Sequence, residues 1–162
     1  MPDLHVSSRG EGESLWFLDT LMQVKLAGAA TGGALAVFEQ LAPAGSATPM
    51  HRHDETDEHF YVLEGEVVFH SPAGRKRCVP GTFVSVPRGT EHAFRVADAG
   101  PARLLVLSTP GRFEHFVRAV SRSAESATLP PSAPPPTPEQ VGALAQIGAR
   151  HDTTLTGPPP AP

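Results

Sequence analysis

The chain has 162 residues, with 13 Lys+Arg against 17 Asp+Glu, a formal net charge of -4 at pH 7 and a single cysteine. That balance offers no basic surface to nucleic acid, one thiol supports neither an internal disulfide nor a cysteine-based zinc site, and no apolar run approaches the roughly 18 residues that cross a bilayer. The length suits one domain with a real core, and the opening MPDLHVSSRGEGES lacks the apolar centre of a secretion signal, so a soluble cytoplasmic protein is expected.

Residues 1–14 form a polar N-terminal segment, and an all-β domain is expected over 15–110. Residues 14–18 and 21–26 read as short strands. AGAATGG (27–33) is a turn with Gly32-Gly33 at its tip, and ALAVFEQLA (34–42) is the next apolar run. Residues 48–53 and 58–63 are further strands, the second broken by Gly65. Residues 66–71 and 75–79 flank the hairpin turn PAG, with the lone Cys78 expected as a buried strand residue. Residues 82–86, 92–97 and 103–109 complete about ten strands, with turn signals every 8–12 residues, as in a sandwich or barrel.

After Gly111 the period changes from 2 to 3.6. Phe113, Phe116, Val117 and Val120 make one face of a helix over 111–122. A proline-rich linker is expected over 123–137, with PPSAPPPTP (130–138) running into the second helix. The second helix, 138–150, opens with the capping box Thr137-Pro138-Glu139-Gln140, turns Val141, Leu144 and Ala145 inward, and stops near Gly148. Residues 151–162 read as a loose tail.

The chemistry is concentrated in GSATPMHRHDETDEHFYVLEG (45–65). Strand residues i and i+2 share a face, so His51 and His53 point one way, about 7 Å apart. If Phe60 and Val62 face the core, parity turns Glu58 inward with them and turns Asp57, His59 and Tyr61 out. Asp54, Glu55 and Asp57 are then turn residues. His92 opens a later strand after a Pro-Gly turn and is the remaining histidine placed to join them. Three imidazoles and a carboxylate suit one divalent first-row ion, Fe, Ni, Mn, Co, Cu or Zn, and leave positions open on a six-coordinate metal.

Gly45, five residues, His51-Arg-His53, four residues, Glu58, six residues and Gly65 match the first cupin motif at every fixed position. Gly81, five residues, Pro87-Arg-Gly89, two residues and His92 match the second, except that Val96 stands where that motif ends in Asn. The chain thus resembles a small single-domain bacterial cupin similar to quercetin 2,3-dioxygenase. The resemblance implies an all-β jelly-roll sandwich or barrel with two short C-terminal helices, and the metal ligands His51, His53, Glu58 and His92. It also implies a dioxygenase acting with dioxygen on an aromatic or flavonol-like small molecule, with Glu58 accepting the proton of the substrate hydroxyl. Met50, Phe60, Phe69, Phe83 and Phe94, with Phe38, are the candidate pocket wall. A non-oxygenase cupin (isomerase, cyclase or decarboxylase) and a non-catalytic binder are the alternatives. Sheet edges such as LWFL (15–18) suggest a homodimer.

Overall fold

Alternation of apolar and polar residues builds two facing sheets. The structure, a computed structural model, describes residues 4–162, so the first three residues of the expected N-terminal segment lie outside the described residues. The strands are β1 (Glu13–Phe17), β2 (Thr20–Leu26), β3 (Ala36–Ala42), β4 (Met50–Arg52), β5 (Asp57–Glu64), β6 (Val67–Ser71), β7 (Gly74–Cys78), β8 (Phe83–Val86), β9 (Ala93–Val96), β10 (Ala102–Thr109), β11 (Arg122–Ser123) and β12 (Thr154–Gly157). A single 3-10 turn, Gly28–Thr31, occupies the expected turn before β3. One sheet runs β11-β1-β2-β3-β10-β5-β8, and two smaller ones run β12-β4 and β7-β6-β9. Antiparallel bridges His51↔His92 and Ala47↔Arg95 join the smaller pieces into a second layer. This is the jelly-roll architecture, mostly β with two helices.

Inward parity is clearest on β10 and β5. Ala102, Leu104, Val106 and Ser108 are buried along β10, and Glu58, Phe60 and Val62 along β5. Register places Val106 against Phe60, and Ser108 against Glu58. The core row therefore runs straight into the carboxylate. Burying a Phe or Leu side chain in such a row is worth about 1.5–3 kcal/mol each. Gly65 ends β5 at φ 78°, where a Cβ would stand 2.4 Å from the Pro101 carbonyl oxygen, so only glycine fits this corner.

Helix α1 (Phe113–Val120) closes one end of the sandwich. Phe113, Phe116 and Val117 are buried and Val120 packs beside them, as the period requires. Phe113 meets Phe17 and Phe38 edge-on, with ring centroids 6.1 and 6.0 Å apart. Buried Glu114 ties the helix to the 3-10 turn by accepting the Gly28 N–H at 2.6 Å, and it also accepts from Arg118.

Helix α2 (Pro138–Arg150) starts with the expected reciprocal Thr137–Gln140 capping box. Leu144 and Ile147 pack on the core, but Val141 is 41% exposed because the first turn overhangs solvent. The helix also runs past Gly148. A Cβ at 148 would stand 2.5 Å from the Thr153 carbonyl oxygen, so this glycine serves close packing against the returning chain and not a helix stop.

Two segments differ from expectation for the same reason: backbone pairing recruits residues with no apolar pattern. Residues expected as a tail form β12, which pairs with β4 (Thr154↔Arg52, Leu155↔His51). The edge of β1, expected to face a second copy, pairs with β11 of the same chain, and Arg122 stacks over Trp16 at 4.2 Å. No helix among the described residues is long and apolar enough to cross a membrane.

Candidate metal centre

β4, the turn after it, β5 and the start of β9 converge at one point between the layers. His51 lies on β4 and His92 just ahead of β9. Their backbones exchange two hydrogen bonds, His51 N–H to His92 O at 3.0 Å and His92 N–H to His51 O at 2.8 Å. Glu58 comes from the opposite sheet. One donor atom from each of His51, His53, Glu58 and His92 lies within 4.8 Å of the other three. His51 is 9% exposed, and the other three are 2 or 3% exposed.

Each imidazole is fixed by a backbone carbonyl. His51 Nδ1–H donates to Pro49 O at 2.8 Å, His53 Nδ1–H to Asp152 O at 2.7 Å, and His92 Nδ1–H to Thr90 O at 3.0 Å. A carbonyl only accepts, so the proton sits on Nδ1 in all three rings and each neutral ring keeps a lone pair on Nε2. His53 Nε2 and His92 Nε2 stand 3.1 and 3.2 Å from Glu58 Oε2. These are acceptors facing acceptors, which only a shared proton or a cation can join. A carbonyl bond behind each ring is the usual support for a metal-ligating histidine.

The local electrostatics agree. Burial drives the His51 imidazole down to about 3, and neighbouring His92 adds to the effect. Burial also opposes charge on His53, but the Glu58 carboxylate prevails and raises that imidazole above its ordinary value. For Glu58 burial favours the neutral acid, yet His53 and His92 outweigh it and hold the carboxyl well below the usual carboxylate range. The group is therefore an anion facing three nitrogen donors. Three imidazole nitrogens and one carboxylate fit a divalent first-row ion.

The acidic turn residues stay outside the cluster, as parity implies. Asp57 pairs with Arg88, Asp54 with Arg52, and Glu55 with Arg112. His59 bonds Ser85 Oγ on the outer face, and His70 is half-buried on β6.

The candidate wall residues divide. Phe60, Phe69 and Phe94 form one buried group, with Phe60 to Phe69 centroids 5.0 Å apart and Phe60 to His92 6.4 Å apart. Phe69 and His92 border a cavity of about 440 Å³ between the β6–β7 hairpin and the edge of β8. Phe38 is fully buried on the α1 side and packs on Phe113, away from this cavity. Met50 lies one residue from His51, so strand parity turns it outward with Arg52, against Gly157. Phe83 is 59% exposed, opposite Tyr61 on the outer face and stacked 6.0 Å from His59, so it reaches only the cavity rim.

Three contributors escaped the sequence reading. Phe113 stands 5.6 Å from the His53 ring. Thr153 Oγ1 lies 3.3 Å from His53 Nδ1. Asp152, at φ 56°, accepts from Asp54 N–H, Glu55 N–H and Thr56 Oγ1–H while its carbonyl holds His53. Phe113 could be placed inward by helical period, but nothing in GARHDTTLTG marks residues 152 and 153 for this role. Cys78 is buried and its thiol is pushed up by burial, which fits a packing residue and not a nucleophile.

Comparison with known proteins agrees with this geometry. The family model described as Cupin domain matches residues 37–108, which include all four clustered side chains. Quercetin 2,3-dioxygenase of Bacillus subtilis (strain 168) is 30% identical over 126 residues, covering 78% of this chain and 37% of that protein. The chain thus spans little more than a third of that relative's length. Among solved structures, a predicted oxalate decarboxylase from Thermotoga maritima superposes with a TM-score of 0.56 at 21% identity, covering 67% of this chain and 99% of that one. The polyketide cyclase RemF from Streptomyces resistomycificus gives 0.51 at 24% identity, covering 61% and 68%. At such identities these two likenesses establish the fold alone. With both spaced motifs, the jelly roll and the family match in agreement, the chain belongs to the cupin superfamily.

Proposed function

We propose that this cupin holds one divalent transition metal on His51, His53, Glu58 and His92 and acts as a mononuclear dioxygenase on an aromatic, flavonol-like small molecule. The observation that carries the metal is the set of three carbonyl-fixed imidazoles whose bare Nε2 atoms converge with the Glu58 carboxylate. The likeness to quercetin 2,3-dioxygenase supports the choice of chemistry. The cavity beside His92, walled by Phe69, Val84 and Val86, supports a flat apolar substrate.

Within this reading the metal supplies Lewis acidity and open coordination positions for substrate and dioxygen. The protein does the rest. Glu58, held ionised, accepts the proton of a substrate hydroxyl at its carboxylate oxygen. Phe60, Phe69 and Phe94 keep water from the inner wall. Carbonyls of residues 49, 90 and 152 keep the three rings from turning.

The test is elemental analysis of protein purified without chelator or histidine tag, beside the His51→Ala/His53→Ala variant, followed by oxygen uptake with flavonols. About one Fe, Ni, Mn, Co or Cu per chain, lost in the variant, with oxygen consumed, is the expected result. Full metal retention in the variant would sink the ligand assignment. Turnover without oxygen consumption would replace the dioxygenase with an isomerase, cyclase or decarboxylase. Ligand binding with no turnover would leave a non-catalytic cupin.

A further inference from the structure

The cavity beside His92 has a charge pattern that its apolar walls conceal. The residues bordering it include Lys76, Arg77 and His70 but no aspartate or glutamate. This stands out in a chain with 17 acidic residues and a net charge of -4. Arg77 is already neutralised, because its guanidinium makes two bonds to the Glu66 carboxylate, at 2.7 and 2.5 Å. Lys76 is not. Its ammonium has no hydrogen bond or ion pair among the described residues, and only its backbone carbonyl is engaged, by the Cys78 thiol.

Strand geometry says where Lys76 points. On β7 it shares a face with buried Cys78, and across the ladder it pairs with Phe69, whose ring lies inside the sandwich. Arg77, one residue on, faces the other way to Glu66. Lys76 therefore extends along the inner side of the hairpin at the cavity mouth, with Phe69 between it and the His92 end.

We infer that Lys76 is a specificity residue, selecting aryl substrates that carry an anionic group, a carboxylate or phenolate, at the end remote from the histidine cluster. A cavity of about 440 Å³ takes a two-ring molecule. One end of the ligand meets the cluster at His92, the rings lie against Phe69 and Val86, and the anion meets the ammonium. An unpaired lysine beside apolar walls has little competing protein carboxylate to displace, so the pair it forms is with the ligand. This inference rests on the functional reading above for the position of the substrate, and it narrows the substrate class within it.

The probes are 1-naphthoate and its neutral analogue 1-naphthamide, titrated calorimetrically into full-length protein whose metal content is measured in the same sample. Naphthoate should bind about tenfold more tightly than the amide, and the preference should weaken as salt rises. Lys76→Met should remove the preference while amide affinity and metal content stay unchanged, and Lys76→Arg should restore most of it. Equal affinities in the unmutated protein, no binding of either probe up to its solubility, or a preference that survives Lys76→Met would each overturn the inference. Metal content separates the two readings, since a protein that holds no metal fails the proposed function whatever the naphthoate result.

Discussion

At the residue scale, the cluster assigns unequal tasks to side chains that look equivalent in the sequence. Glu58 is the only carboxylate of the four groups and the only one from the seven-stranded sheet. Glu58→Gln keeps the volume and one carbonyl oxygen but removes the charge. It should weaken metal binding without abolishing it and lower turnover about 10²–10⁴-fold, the usual contribution of a positioned proton acceptor. Metal titration beside single-turnover rates would check this, and unchanged turnover would remove Glu58 from proton transfer. The histidines differ from one another too. Neutral imidazole is the ligating form, so protons compete with metal. Glu58 raises His53 above its ordinary 6.5, whereas burial holds His51 down at about 3. Competition should therefore begin above pH 6.5, through His53, and His51 should add nothing until far more acid conditions. Chelator-competition titrations from pH 8 to pH 5 would show affinity falling as pH falls through the raised His53 value. A flat affinity across that range would contradict the picture.

At the element scale, the motif residues were legible because β-strand parity and fixed spacing are local. The period of 2 in Glu58, Phe60 and Val62 survives folding intact, and so does the period of 3.6 in Phe113, Phe116 and Val117. Parity also shows why Met50 turns away from the cluster and Phe83 meets the cavity only at its rim. Met50 and Phe83 are apolar, but each stands one residue out of step with an inward neighbour, His51 and Val84. The C-terminal strand was illegible for a different reason. β12 is short and stabilised by backbone pairing, and the turn before it reaches the site through the main-chain carbonyl of Asp152, which no side-chain pattern announces. That turn carries its own prediction. Asp152→Ala removes the acceptor of three donors in the turn between β4 and β5. It should lower stability by about 1–3 kcal/mol and metal affinity about 10–100-fold, because the peptide that holds His53 loses its anchor. Asp152→Asn, which keeps one carbonyl acceptor, should recover part of both. Thermal melts paired with metal titrations would measure this, and an unaltered metal affinity would mean that His53 needs no support from the turn before β12.

At the scale of the whole molecule, the site is a joint between two sheets. His51 and His92 belong to the layer built from β12, β4, β9, β6 and β7, whereas Glu58 rises from β5 in the other. Along the side where β8 faces the β6–β7 hairpin the layers part to leave the cavity, with His92 at its border. A bound ion would tie the two sheets together at the border of that cavity. Because it binds the folded arrangement and not the unfolded chain, its effect on stability follows mass action, about 2.7 kcal/mol at a free concentration 100 times the dissociation constant. For a domain of this size each kcal/mol moves the midpoint by roughly 2–4 °C, so saturation should raise Tm by about 5–10 °C. The rise should appear with Mn, Fe, Co, Ni or Zn and be absent with Mg, which prefers oxygen ligands and retains its waters. It should also vanish in His51→Ala/His53→Ala, whose β-sheet circular dichroism should persist because the bonds between residues 51 and 92 are made by backbone atoms. If the double variant gains as much thermal stability from metal as the unmutated chain, the ion sits elsewhere and the joint between the sheets is held by packing alone.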